Sequence, residues 1–205
     1  VLGAQYSLED NFLLKSLAES QLSGARLFAT GAPEGDSDDV LILADKNPNS
    51  AGLRLLNGGQ PLPTVTELLS LVQAGQIATV VLLGATEPAA GFAKALSEAK
   101  ASLVVLATHD EGFAKVATVA LPASSWAEYE GRYVNADGLQ QVAERAIAPV
   151  GQSLPAWKLV ASLARNIGRP FPFKTLGDVR SALDGNAPPG ARAAEAAAPV
   201  AGVQS

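Results

Sequence analysis

The stretch IATVVLLG (residues 77–84), followed by TEPAAGFAKALSEAK (86–100) and ASLVVLAT (101–108), decides the fold. The outer two segments are of strand length and almost continuously apolar, while the middle one carries a helical pattern. A strand with no polar face must be covered on both sides, which is what a parallel sheet layered by helices provides. These segments therefore predict a βαβ unit. Each strand ends at a small or polar residue, Gly84 and Thr108, and in open α/β sheets that carboxyl edge is where ligands sit. A third apolar run, VATVALPA (116–123), predicts another strand ending at Pro122.

Outward from this unit, SLEDNFLLKSLAESQL (7–22) reads as a helix with Ser7 as N-cap and Gly24 as its stop. Glu9 and Asp10 fall in its first turn, where the helix dipole favours carboxylates, and Phe12, Leu13, Leu17 and Leu22 share roughly one face. ARLFAT (25–30) predicts a short strand, and VLILA (40–44) a strand or a short buried helical turn. TVTELLSLVQAG (64–75) predicts a helix capped by Thr64 or Thr66, burying Leu68, Leu69, Leu71 and Val72. The helix after Gly84 is expected from about Pro88, with Ala89, Phe92, Ala93 and Leu96 toward the sheet. WAEYEGRYVNADGLQQVAERAI (126–147) reads as an irregular loop with a short strand pair and a tight turn at 135–138. PAWKLVASLARNIG (155–168) predicts a helix with Trp157, Leu159, Val160, Leu163 and Ile167 on its apolar face, and a short helix follows near Leu176, Val179 and Leu183. The expected fold class is α/β, a mostly parallel sheet with helices on both faces, in one domain over residues 1–184. The Ala/Pro-rich tail, 185–205, has little apolar bulk to offset ordering entropy.

Composition excludes several function classes. With 17% charged residues and a net charge of -5, the chain has no Lys/Arg cluster able to neutralise several phosphates, so no nucleic-acid partner is expected. The absence of cysteine rules out disulfides, thiol nucleophiles and thiolate-bound clusters on these residues. One histidine and no cysteine fall short of the several Cys or His ligands that an all-protein zinc site draws on. No apolar run reaches the length of about 18 to 20 residues that spans a bilayer, so direct membrane insertion is not expected. Val1 in a chain without any Met reads as the start of a fragment or processed product.

No catalytic set emerges. His109 follows the second strand beside Asp110 and Glu111, but sequence adjacency is not the geometry of a relay. Ser124 and Ser125 lie outside a nucleophile elbow and suit a cap or turn. Glu128 and Glu130 could form an acid/base pair only around a cleft that nothing here implies, and Arg132 is expected to pair with one of them. The carboxylates Glu34, Asp36, Asp38 and Asp39 do not follow a calcium-loop pattern and read as a solvated connection. The glycines at 84, 91 and 112 form neither a GxGxxG nor a Walker element. What survives is a groove at the strand ends, lined by residues 84–87 and 108–111.

VVLLGATEP, ATHDEGFAKVATVALPASSWAEYEGRYVNADGLQ and IAPVGQSLPAWKLVASLARNIG resemble the molybdopterin oxidoreductase family. Within it they are most similar to the C-terminal region of the large, G-type peripheral-arm subunits of bacterial NADH:quinone oxidoreductase (respiratory complex I). SLEDNFLLKSLAE and KNPNSAGLRLLNG extend the likeness over about residues 7–170. The resemblance implies that Gly84, Thr86, Glu87, Thr108, His109 and Asn135 mark a vestigial cofactor groove. Residues 135–139 match the family's N-x-E-G-R run with two departures: the Glu is Asp137 and the Arg is Leu139. Losing a guanidinium removes a forked donor suited to phosphate. The implied role is a non-catalytic support for NADH-to-quinone electron transfer, with no cofactor in this chain and iron–sulfur clusters in an N-terminal part beyond it. Other peripheral-arm subunits are the implied partners, on the cytoplasmic side of the inner membrane. An active molybdopterin-dependent oxidoreductase fragment is the alternative.

Overall fold

The computed structural model describes residues 1–84 and 91–185. The expected helix start at Pro88 and Ala89 and the tail beyond 185 lie outside the described residues, as do Thr86 and Glu87. Near the start of the chain, β1 (Leu2–Gly3) pairs in parallel with β2 (Ala29–Thr30). The central strands follow the apolar runs: β3 (Thr79–Leu83) pairs in parallel with β4 (Ser102–Ala107), and β4 with β5 (Val119–Pro122). The Val1 nitrogen donates to the Val81 carbonyl at 2.6 Å and the Leu83 N–H to the Val1 carbonyl at 3.2 Å. Those bonds set the start of β1 beside β3, so the β2-β1 pair adjoins the β3-β4-β5 sheet. Antiparallel pairing is confined, among the described residues, to the hairpin of β6 (Gly131–Val134) and β7 (Gln140–Ala143), where the sequence predicts its strand pair.

Helices cover both faces, because the two-residue period of a strand sends neighbours to opposite sides. In chain order they are α1 (Leu8–Ser16), α2 (Ser50–Leu56), α3 (Val65–Gln73), α4 (Phe92–Glu98), α5 (Phe113–Val116), α6 (Ala156–Asn166) and α7 (Leu176–Leu183). Val80, Leu82, Leu103, Val105 and Ala107 of the sheet pack into one core cluster. α3 contributes Val65, Leu68 and Val72 to that cluster, and Phe92 of α4 meets Phe113 of α5 edge-on at 5.2 Å. On the other face, Leu83 and Leu106 join Leu13 of α1, Trp157 and Val160 of α6, and Val179 of α7. Full burial of one such Leu stabilises the fold by about 2 kcal/mol. The fold is α/β with a parallel sheet between helical layers, as expected.

Among the described residues, capping boxes start three helices: Ser7 with Asp10, Thr64 with Glu67, and Thr175 with Asp178 each exchange side-chain and backbone hydrogen bonds. Thr64 rather than Thr66 is thus the cap of α3. After α1 the chain continues as a π-helical turn, Leu17–Gln21, and Leu22 is left exposed. β5 is an edge strand with Val119 exposed, and Ile167 lies beyond α6 at 52% exposure.

Two expectations are corrected. VLILA is neither a strand nor buried: Val40, Leu41, Ile42 and Leu43 are all exposed. The Asp38 Oδ1 accepts the N–H groups of Val40, Leu41 and Ile42 at 2.9, 2.7 and 2.8 Å, so the donors a strand would need are turned onto a carboxylate. Arg132 pairs with neither Glu128 nor Glu130. Its guanidinium meets Glu9 at 3.1 Å and Asp184 at 3.0 Å, because β6 packs on α1 and the Arg132 side chain reaches the C-cap of α7, both far away in sequence. Glu130 pairs with Arg180 instead, and Glu128 accepts the N–H groups of Ser125 and Val150, which hold its carboxyl below the usual range.

Candidate functional site

A groove of about 680 Å³ opens at the carboxyl ends of β3 and β4, and Gly84, Thr108 and His109 lie in its wall. The parallel register places Leu83 beside Leu106, so the residues that follow each strand emerge on the same edge. Gly84 has φ +127°, a conformation L side chains rarely adopt. Thr108 and His109 are exposed, and the Thr108 hydroxyl lies 2.7 Å from His109 Nδ1. Asn135 is not brought to this groove. Its Oδ1 accepts the N–H groups of Asp137 and Leu139, which closes the β6–β7 turn, and it borders a separate cleft with Ala136 and Asp137.

The floor and rim are aromatic. Tyr6, Tyr129 and Tyr133 line the groove and Trp126 stands at its edge, 68% exposed. Two of the phenols face inward: the Tyr6 hydroxyl donates to the Leu106 carbonyl at 2.9 Å, and the Tyr129 hydroxyl to Asp10 Oδ2 at 2.5 Å. The Tyr133 hydroxyl is buried without a hydrogen bond of good geometry, close enough to the Tyr129 phenol to interact with it. Burial pushes all three phenols up, Tyr133 to about 12.

Beneath the floor, Glu9, Asp10 and Asn11 are three consecutive polar residues with no exposed surface. Asp10 accepts the Ser7 hydroxyl at 2.6 Å, the Tyr129 hydroxyl, and the Trp157 N–H at 2.7 Å. Desolvation outweighs these donors and holds its carboxyl above the ordinary value. Asn11 donates to the Gly3, Tyr6 and Ser7 carbonyls and accepts the Gly3 N–H, which fixes the segment carrying Tyr6. Asn49 also donates to the Tyr6 carbonyl, at 2.7 Å, and accepts the Val134 N–H. The SxxD spacing at Ser7 and Asp10 signals the capping box, but nothing local signals Tyr129 or Trp157, which lie 119 and 147 positions away.

Known proteins place this arrangement in a family. The family described as Molybdopterin oxidoreductase matches residues 15–166, a span that includes β2 to β7, Gly84, Thr108 and His109 of the groove wall, and α6. This chain belongs to the molybdopterin oxidoreductase family. Among its relatives, the mitochondrial NADH dehydrogenase [ubiquinone] iron-sulfur protein 1 of Solanum tuberosum is 39% identical over 72 residues, covering 35% of this chain and 10% of that protein. The G-type subunit of the NADH-quinone oxidoreductase of Rickettsia felis is 36% identical over 75 residues, 37% of this chain and 11% of that protein. The F420-dependent formate dehydrogenase subunit alpha of Methanocaldococcus jannaschii is 38% identical over 55 residues, 27% and 8% respectively. The matches thus span about a tenth of the length of these relatives.

Membership of the molybdopterin oxidoreductase family raises the question whether the groove suits a pterin dinucleotide. Such a cofactor carries a diphosphate, which is best met by guanidinium or ammonium donors. Among the described residues the groove wall has neither: its polar groups are neutral hydroxyls, Gln5 and His109. Arg132, the nearest arginine in sequence to Tyr133, is spent on Glu9 and Asp184. Leu139, where the family run has its arginine, is exposed on the hairpin. The described residues do not fit the anionic half of that cofactor. Among the described residues no cluster of three His, Cys, Asp or Glu side chains is arranged to hold a metal ion.

Proposed function

We propose that this chain is a structural domain from the C-terminal region of the G-type peripheral-arm subunit of NADH:quinone oxidoreductase. In this reading it braces the arm while electrons pass from NADH to quinone through iron–sulfur clusters held elsewhere. The observation that carries the reading is the groove itself: it keeps the family's place at the sheet edge, yet its described wall has no cation and two of its phenols are bonded inward. The likeness to the Solanum tuberosum and Rickettsia felis proteins supports the same assignment. A chain without cysteine has no thiolate for a cluster, so the clusters belong to other parts of the protein and its neighbours. The partners are then other peripheral-arm subunits, and the location is the cytoplasmic side of the inner membrane. No helix among the described residues is long and apolar enough to cross a membrane, which suits a domain held by protein contacts.

A second reading, a fragment of an active molybdopterin-dependent oxidoreductase, draws on the likeness to the formate dehydrogenase subunit of Methanocaldococcus jannaschii and on the open volume beside the Tyr133 side chain. One measurement separates them. Metal analysis for molybdenum and tungsten, with fluorescence detection of oxidised pterin, is made on the full-length protein purified from its native membrane complex. The support role requires both to be absent and the protein to copurify with NADH:quinone reductase activity. Stoichiometric pterin would establish the second reading in its place.

A further inference from the structure

We propose that loop 35–44 is a docking knob for a neighbouring protein that presents an apolar cleft rimmed by basic side chains. This rests on the assignment to a peripheral-arm subunit, which supplies the assembly in which the knob would dock.

The knob is apolar at its tip. Val40, Leu41, Ile42 and Leu43 are 83, 86, 51 and 56% exposed, a run of four large side chains that scattered surface apolar residues do not produce. It is also held in shape. Besides the three amides that converge on Asp38, the Asp38 N–H donates to the Ile42 carbonyl and the Gly35 N–H to the Ala44 carbonyl, both at 2.9 Å. Lys46 closes the base by donating to the carbonyls of Asp36 and Leu43. An apolar tip fixed before binding loses little conformational entropy on docking, the usual basis of preorganised recognition.

Charge around the tip decides what covers it. Glu34, Asp36 and Asp39 flank it, all exposed, and Leu43 continues into the cleft of about 310 Å³ that Asp45 and Asp137 also line. Lys46 already serves the loop's own carbonyls, and Arg54 is the cation of that cleft among the described residues. An anionic lipid surface would be repelled by this collar. A second copy of the chain would bring two such collars together, and like charges in register suppress that pairing. A protein cleft with a Lys/Arg rim satisfies both the tip and the collar.

The test places a benzoylphenylalanine photo-crosslinker at Leu41 in the full-length protein, assembled in its native complex, and identifies the crosslinked peptide by mass spectrometry. The expected product joins residue 41 to a different subunit at an apolar site flanked by Lys or Arg. Asp36→Lys with Asp39→Lys should cut the yield by at least about fivefold at low salt, and raised salt should lower the unmodified yield in the same direction. No crosslink, or crosslinks to another copy, within the same chain or to a site without basic flanks, would overturn the proposal. So would sedimentation of the chain with phosphatidylcholine/phosphatidylserine vesicles that is lost on Leu41→Ser. A protein that enters no NADH:quinone oxidoreductase assembly would sink the functional reading along with the knob; one that enters it with residue 41 unengaged would sink the knob alone.

Discussion

The Asp10 carboxylate on α1 accepts the backbone N–H of Trp157, in the first turn of α6, at 2.7 Å. Helix α6 needs this foreign acceptor because its own N-cap is Pro155, which has no side-chain oxygen and makes no capping hydrogen bond. The same carboxylate closes the capping box of α1 and takes the Tyr129 hydroxyl. One side chain therefore serves two helix starts and the groove floor. Asp10→Ala is expected to lower unfolding free energy by about 3 kcal/mol, a lost cap plus buried donors left without acceptors. Urea denaturation followed by far-UV circular dichroism measures it, and a loss below about 1 kcal/mol, the size of a single exposed cap, would mean the three contacts are not shared in this way.

Asp10 also sets a pH dependence whose sign differs from that of most carboxylates. Burial raises its folded-state value above the unfolded one, so the folded chain binds the proton more tightly. The associated stability is complete below the unfolded value, about 3.9, and is lost as pH rises toward the raised folded value. Asp10→Asn cannot titrate. The stability gap between the native chain and Asp10→Asn should therefore narrow as pH rises upward from about 4, and denaturation at several pH values would expose a wrong sign as a gap that widens.

The sheet was legible because β3 and β4 must be apolar on both faces, a constraint written into consecutive residues such as Val80, Val81, Leu82 and Leu83. Helices with their own caps were legible for the same local reason, as at Ser7 and Thr64. The groove wall at Gly84, Thr108 and His109 followed from where those strands end. Its floor did not. Tyr6, Tyr129 and Tyr133 come from distant places in the chain, and their positions depend on Glu9, Asp10 and Asn11 being buried, whereas sequence alone accounts for the first two as first-turn carboxylates favoured by the helix dipole. VLILA misled because apolar content alone cannot tell a buried strand from an exposed tip when an upstream Asp38 claims the backbone amides.

Gly131 marks how closely β6 approaches α1. A Cβ built there would lie 2.7 Å from Ser7 Cβ, inside van der Waals contact and against the N-cap. Gly131→Ala should destabilise by about 1–3 kcal/mol, the range for overpacking a close contact. Thermal denaturation checks it, and an unchanged midpoint would show that the hairpin can move away from Ser7.

Exposure ranks two leucines that look alike in sequence. Leu82 is fully buried in the core that the sheet shares with α3, α4 and α5, whereas Leu41 is 86% exposed. Leu82→Ala should cost about 2–5 kcal/mol through lost transfer energy and the cavity left behind. Leu41→Ser should stay within about 0.5 kcal/mol in the isolated chain. Equal losses in parallel urea titrations would return VLILA to the core.

Glu9 is the hub of the buried charges, and its two arginines are not equivalent. It accepts the Arg132 N–H at 2.9 Å and Nε at 3.1 Å, and the Arg180 Nε at 2.7 Å. Arg132→Leu leaves Glu9 with Arg180 and the residue-132 N–H, while Glu9→Leu strands a guanidinium that is 6% exposed with only the partly exposed Asp184 to meet it. Removing one member of a buried pair costs about 3–5 kcal/mol, so Glu9→Leu should fall in that range and Arg132→Leu below it. The double variant should cost less than the sum of the two, since the stranded charge is gone. A double-mutant cycle by urea denaturation reads the coupling directly, and strict additivity would mean that the Arg180 contact alone neutralises Glu9.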